Sequence, residues 1–458
     1  MHLPKLFILV LALACSVFAQ SGGFGGGASA DPFSMMGATA GTATSSGWRP
    51  WLSLNGNYVR PLSGNNQLAA HAPAVGTGSG GIGGNKAWGT KRLAGGYTGS
   101  VSYNTVSSRS IPKWRPTQTA NISYSQQVNQ RVMVSLSQMG GISYGGYGVA
   151  SGFGVNGLPG TSSSYGAGGF GDGSGAFGDP AINGIVDNEI FNGRSLFYVT
   201  HGSLNYLISN RFAVSGSGSF STVRRNQGIR GTTSLSGTAQ LSYRLNERAT
   251  LMGGSTYTTN RYRDLFGSVH ALFHTVGISY QLSPTLGISV AAGGGQIRSK
   301  FIGLVQLPPE VAALLGVSGE LQVGESSSWS PSYNFSISKR AEFGSFTGGV
   351  SRGYSMGNGV VMAGVRDLAV LTFSRAVTPK IGVSLLASAA RSSGRIGVFA
   401  ATETVQGGAN VSFRLGGGFN FGLNTGLRYV GIPSLSHRSD LYVGGGLSWS
   451  PGERPFTF

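Results

Sequence analysis

The sequence is poor in charge and in proline, and it has a single cysteine. Only 10% of its 458 residues are charged, whereas about 25% is usual for soluble globular proteins. Proline numbers 17 and glycine shows no period of three, which excludes collagen. Simple disorder is disfavoured because 40% of the residues are hydrophobic and 10% are aromatic.

Glycine, in contrast, is abundant. It accounts for 78 of the 458 residues, or roughly 17% against a usual level of about 7%. Because glycine costs about 1 kcal/mol relative to alanine inside a helix, long helices are not expected. After the N-terminal segment no apolar run reaches the roughly 18 residues that a transmembrane helix requires.

The N-terminus has the features of an export signal. Lys5 is followed by an apolar stretch over 6–14 and by small residues at 17–19, which predicts a signal peptide over 1–19. Cys15 lies within it, so that cleavage after Ala19 would leave no cysteine in the mature chain. Lipidation of Cys15 is an alternative that the sequence leaves open.

A short motif recurs along the chain. It has an apolar second residue, usually serine third, and an aromatic fourth residue in seven of eight copies, each but the last followed by a turn and a second alternating segment. This is the pattern of repeated β-hairpins. The copies are 121–124, 203–206, 240–243, 277–280, 334–337, 370–373, 410–413 and 446–449.

The alternating segments favour a membrane barrel over a soluble sandwich or a solenoid. In 235–245 one face is Leu, Gly, Ala, Leu, Tyr and Leu, and the other is polar. The segments exceed the usual strand of about 5–6 residues and match the roughly 9–11 residues of a membrane strand. The repeated aromatics would also lie at one height, as at a membrane interface.

These patterns predict an all-β, antiparallel up-and-down transmembrane barrel of about 16 strands (14–18), occupying 92–458. Connections after the aromatic residues are short, and several at the other end are long, as in outer-membrane barrels. We expect 20–91 to be a flexible Gly/Ser-rich segment in which 51–60 could form an extra strand. The segment 140–196 is expected to be a long loop, either constricting the channel or exposed, and 308–316 a short helix in another loop.

The export signal, the hairpins and the terminal Phe458 resemble those of bacterial outer-membrane β-barrel proteins of the porin-like class, over roughly 93–458. The resemblance implies a place in the cell outer membrane. It further implies contact with outer-membrane lipids and recognition of the C-terminal aromatic residue by the barrel-assembly machinery.

Catalytic patterns are weak, and we expect neither an enzyme nor a bound cofactor or metal. His270 and His274 share one strand face at about 13 Å, too far apart for one metal ion. His201 and Ser203 lack an acidic partner. Asp187 and Glu189 could bind Ca²⁺, although solvated loop charge is the simpler interpretation.

The charge balance is the informative electrostatic feature. The formal net charge is +18, and would be +17 without Lys5. Nucleic-acid binding is not expected, because the charges are dispersed over the hairpins and the chain is exported. Alternation places five arginines on the polar, lumen-facing side of the strands, namely Arg230, Arg244, Arg366, Arg414 and Arg428. A second group lies at the far strand ends, near phosphorylated outer-leaflet lipid or the channel rim, namely Arg224, Arg225, Arg261, Arg263, Arg298, Arg391 and Arg395.

Cationic side chains in a lumen favour anions; the alternative is that they pair with the few carboxylates. The sequence therefore predicts passive diffusion of small hydrophilic, anionic solutes through the barrel. A structural or adhesive surface protein anchored by the barrel is the main alternative, and a membrane enzyme comes third. The sequence identifies neither the solute nor the oligomeric state.

Overall fold

The computed structural model describes residues 47–64, 74–105, 113–144, 194–225, 231–262, 267–306, 319–342, 344–357, 361–397, 401–432 and 436–451. Their regular structure is entirely β-strand, and no helix among them is long and apolar enough to cross a membrane. The strands are β1 Gly47–Gly64, β2 Ala74–Trp88, β3 Lys91–Asn104, β4 Trp114–Asn129, β5 Val132–Tyr144, β6 Arg194–Leu207, β7 Phe212–Arg225, β8 Thr232–Arg244, β9 Ala249–Tyr262, β10 Gly267–Ser283, β11 Leu286–Gln306, β12 Gly319–Ala341, β13 Gly344–Gly357, β14 Val361–Thr378, β15 Ile381–Gly397, β16 Ala401–Gly416, β17 Phe419–Ile432 and β18 Ser436–Trp449.

The strands form one closed antiparallel barrel. Each pairs with the next along the chain, and β1 closes the ring against β18, with Leu52 opposite Trp449. The predicted all-β, up-and-down architecture is confirmed. The described residues form 18 strands rather than about 16, at the upper limit of the expected range.

The two additional strands lie in the segment 20–91, where we expected flexible chain. β1 contains the proposed extra strand 51–60, whereas β2 was not predicted. Half of its outer-face residues are glycine, and leucines of β1 cover two of them: a Cβ on Gly78 would lie 3.5 Å from Leu54 Cδ2. Because the apolar cover of β2 comes from its neighbour, its own sequence shows no alternation.

The two ends of the barrel differ. Connections after even-numbered strands span two to four residues, for example between β8 and β9, and define the short-turn end. Those after odd-numbered strands define the long-loop end and include the 49 residues between β5 and β6. Most of the predicted loop 140–196, the segment 308–316 and the signal peptide with Cys15 lie outside the described residues.

Side chains alternate between an outer face and a lumen face. In β8, Gln240 on the lumen face is 7% exposed and Leu241 on the outer face is 53% exposed. On the lumen face, Ser236 and Thr238 have Ser or Thr opposite them on both neighbouring strands, whereas Leu241 lies between Val214 and Gly253. A period of two therefore separates a polar interior from an apolar exterior.

Candidate functional site

The predicted lumen arginines lie on the lumen face wherever the structure describes them. Arg428 lies opposite Asp440, and Arg414 lies opposite Asn420, so that polar residues are paired with polar residues on this face. Arg244 and Arg366 have the same parity in β8 and β14. Arg230 lies outside the described residues.

Four further arginines share this face: Arg92, Arg115, Arg340 and Arg438. We missed them because they lie at or just beyond the ends of the predicted strands, where the alternation was not followed. The eight form two groups. Those near the short-turn end are Arg92, Arg244, Arg340 and Arg414, and those in the long-loop half are Arg115, Arg366, Arg428 and Arg438.

Carboxylates are scarce in the lumen. Among the side chains that the structure describes, Asp440 is the one carboxylate on the lumen face of the strands. It accepts a 2.6 Å hydrogen bond from Nε of Arg438, and both side chains are nearly buried. The described lumen face is therefore strongly positive.

Between the two arginine groups the lumen is lined by small polar side chains. Hydroxyls pair across neighbouring strands, as in Ser53–Ser79 at 2.6 Å and Thr238–Thr256 at 3.1 Å. Asn424 donates to Asn57 across β18, at 3.4 Å. The two amides can meet there because Gly444 between them has no side chain. This zone offers hydrogen bonds but no fixed charge.

The predicted rim arginines whose side chains the structure describes lie on the outer face at the long-loop end. Arg224, Arg261 and Arg298 are exposed there. Arg391 lies 3.5 Å from Glu403. The side chains of Arg225 and Arg395 and all of Arg263 lie outside the described part of the structure. These positions are separate from the lumen.

One part of the lumen face is apolar, which alternation alone does not predict. Val269 and Phe273 of β10 are 0% and 5% exposed although they point into the barrel. They pack with Ile297 and, unexpectedly, with Val365 and Tyr354. A second buried cluster of lumen-face residues also contacts Tyr354; it consists of Phe197, Val199 and Val223.

Tyr354 of β13 lies opposite Val365 of β14. Both have the outer-face parity of Phe346 and Phe373, the pair nearer the short-turn end. Because Tyr354 and Val365 nevertheless contact lumen-face side chains of β10, the parts of β13 and β14 at the long-loop end must fold inside the barrel. We call residues 353–357 and 361–366 the flap. Tyr354 is hydrogen-bonded to Asn260 of β9 and its ring lies 6.4 Å from that of Phe273. The flap therefore covers the inner wall formed by β9–β11.

The flap begins where the pairing of β12 with β13 ends. The last pair is Tyr333 with Arg352, whereas β12 continues to pair with β11 up to Gly319. The amide of Arg340 donates to Thr285, on the β11 side. Alternate residues of β12, including Pro331, therefore direct their nitrogen toward β13. Because proline has no N–H, it cannot extend that ladder.

The structure gives hydrogen-bond partners to most of the described residues that were considered as metal or catalytic candidates. His270 and His274 lie on the outer face, where their Nδ1 atoms contact Tyr257 Oη at 2.9 Å and Ser255 Oγ at 2.7 Å. Ser203 pairs with a serine of β5. Among the described residues there is no cluster of three metal-ligand side chains. Asp187 and Glu189 are not among them.

Comparison with known proteins gives likeness in structure only. No family model matches the sequence, and no curated protein matches it. The ferric-catecholate import receptor Fiu from E. coli K12 is 8% identical with a TM-score of 0.42, over 89% of this chain and 82% of that one. OccAB4 from Acinetobacter baumannii is 8% identical with a TM-score of 0.41, over 89% and 99%.

OccK5 (OpdH) from Pseudomonas aeruginosa gives 8% identity and a TM-score of 0.40, over 89% of this chain and 98% of that one. The chain is thus similar in overall form to outer-membrane β-barrel porins and receptors, as its sequence predicts. The barrel architecture itself is established by the strand pairing of this chain.

Proposed function

We propose that the protein is a channel in a bacterial outer membrane for passive diffusion of small hydrophilic solutes, with a preference for anions. The observation that carries this proposal is the charge of the lumen. Eight arginines share the described lumen face with the single carboxylate Asp440. No catalytic role is proposed.

Two aromatic belts on the outer face support the membrane location. Several strands carry aromatic residues eight positions apart, as in Tyr198 and Tyr206 of β6 and Phe212 and Phe220 of β7, all about 40% exposed. Eight residues at about 3.3 Å, tilted by about 35–45°, span roughly 19–22 Å of height, close to the apolar band of about 25 Å. Between the two belts on β6 lies Leu204, an exposed apolar side chain.

The arginines would act on solutes through their summed potential. A low-dielectric wall lined with one sign of charge concentrates counter-ions along the path. The Debye length falls from about 30 Å at 0.01 M salt to about 3 Å at 1 M. Anion preference should therefore be largest in dilute salt and should decline as salt increases.

The test is the reversal potential of the protein in planar bilayers under a salt gradient. The lumen variant replaces four arginines with glutamine: Arg244, Arg366, Arg414 and Arg428. A matched control removes the same charge from the outer face: Arg224, Arg261, Arg298 and Arg391. We expect the lumen variant to move the reversal potential toward zero and the control to leave it nearly unchanged. Heat-modifiable migration on gels would verify that both variants fold.

Two results would count against this function. A folded wild-type barrel that prefers cations, or equal shifts in both variants, would show that the lumen arginines do not set selectivity. A folded barrel that never conducts, in any variant, would favour the structural or adhesive anchor instead.

A further inference from the structure

We infer that the flap is a gate, which alternates between folding into the lumen and pairing with the free edge of β12. This inference rests on the proposed channel function and concerns its regulation. In the folded-in position Tyr354 contacts both the β9–β11 wall and the β6–β7 wall. The flap, which leaves the wall at β13 and β14, therefore extends into the lumen in its long-loop half and reaches both of these walls.

The seam beside the flap provides a second place for it. Beyond Tyr333, toward the long-loop end, the edge of β12 that faces β13 has no partner strand among the described residues. The edge of β13 that faces β12 likewise has none beyond Arg352. Extending the observed β12–β13 register toward the long-loop end would place Ser330 of β12 opposite Ser355 of β13. Swinging the flap outward, together with the end of β15 that pairs with it, would extend the wall over 328–332 and clear the lumen.

The folded-in flap and the flap paired with β12 each leave a different group unsatisfied. This keeps the free energies of the two conformations close. The folded-in flap buries Val269 and Phe273 but leaves two strand edges without a ladder. The paired flap would extend the ladder over 328–332 but expose that apolar wall to lumen water, and Pro331 would still lack one hydrogen bond. A balance of this kind is what a two-state element requires.

Arg366 connects this movement to the solute path. It lies in the flap, opposite Gly353 and on the lumen-face parity, whereas its neighbour Val365 packs against the wall. Movement of the flap therefore displaces Arg366, one of the arginines in the long-loop half, together with the Tyr354 side chain that lies in the lumen. The gate and the charged lining are parts of the same hairpin.

The experiment measures flap position and conductance in the same proteins. Val269→Cys, in a Cys15→Ser background, reports exposure of the covered wall through its rate of modification by a charged maleimide. Tyr354→Ala removes the side chain that anchors the flap. Phe346→Ala is the matched control, because it removes an aromatic of the same parity on the same strand, below the flap.

We expect Tyr354→Ala to increase both the modification rate of the cysteine and the single-channel conductance several-fold, and Phe346→Ala to change neither. Pro331→Val should act in the same direction by restoring the N–H that faces β13, without disturbing the Tyr354 contacts. It is the independent variant in case Tyr354→Ala assembles poorly, which heat-modifiable migration would show.

The gate is overturned if folded Tyr354→Ala and Pro331→Val leave the conductance at the wild-type level, whether or not the cysteine becomes reactive. A higher conductance in these variants combined with cation preference would retain the gate and refute the anion preference. Absence of conductance in every folded variant would refute the gate and the channel together.

Discussion

Arginine on the outer face at mid-height tests the membrane location most directly, and Val276 is the best position for it. Its side chain is 63% exposed and lies between Gly253 of β9 and Ala292 of β11, so no larger outer-face neighbour shelters it. Tyr280, in the aromatic belt, is four residues away. That separation corresponds to about 9–11 Å of height, near the middle of an apolar band of about 25 Å.

Val276→Arg should therefore carry nearly the full midplane cost. Arginine facing lipid at that depth costs about 2–4 kcal/mol. Since each 1.4 kcal/mol is a factor of about ten, the folded-to-unfolded ratio should fall roughly 30- to 700-fold. The assay is the urea dependence of folding in lipid vesicles, followed by heat-modifiable migration.

The neighbouring lumen position supplies the control. Thr275 points inward between Gly254 and Gly293, which have no side chains. Thr275→Arg should therefore find room and water, and should change the free energy of unfolding by about 0.5 kcal/mol or less.

Depth supplies a second control. Leu241 also faces outward, but it is only two residues from Tyr243 in the belt, about 5 Å in height. Leu241→Arg should cost less than Val276→Arg, because the penalty decreases toward the interface. Equal costs at both depths, or equal effects of Val276→Arg and Thr275→Arg, would refute the membrane placement or the face assignment.

Two further pairs of variants test the lumen. Gly444→Ala would drive a methyl group into the asparagine pair across β18 and should destabilise the barrel by about 1–3 kcal/mol, whereas Gly56→Ala, with nothing within 4 Å, should be neutral in the same urea assay. Asp440→Asn removes a charged partner of nearly buried Arg438; it should cost about 3–5 kcal/mol and increase anion preference in bilayers. Glu403→Gln, whose arginine partner is half exposed, should cost less than about 1 kcal/mol. A stable Gly444→Ala barrel, or equal costs for the two carboxylate variants, would contradict these assignments.

Much of this arrangement was predictable because alternation needs no tertiary information. The parity of residues 235–245 is that of β8, and the aromatic residues before the short turns, such as Tyr243 and Phe413, lie on the outer face as predicted. The same parity located Arg244, Arg366, Arg414 and Arg428. Antiparallel neighbours preserve this relation around the ring, so a local pattern determines the face of distant residues.

The remaining features depend on neighbours that a local pattern does not contain. β2 was missed because leucines of β1 provide its outer apolar surface. The inward Val269 and Phe273 were not anticipated because the flap that covers them comes from β13 and β14. Pro331, just before the repeated motif at 334–337, was the available signal, since proline within a strand indicates interrupted pairing.

Closure of the barrel through β1 and β18 has a consequence for how the chain reaches its folded state. Leu52 pairs with Trp449, so the final ladder joins residues separated by about 400 positions. Contacts of such long range form slowly, because the entropy of closing the loop is lost before the contact is gained. Until β18 is in place, β1 and β17 each present an unpaired edge, and such edges pair readily with other chains. The assembling protein is therefore most vulnerable to aggregation at its last step, and a catalyst that holds both edges until they meet would accelerate that step more than any other.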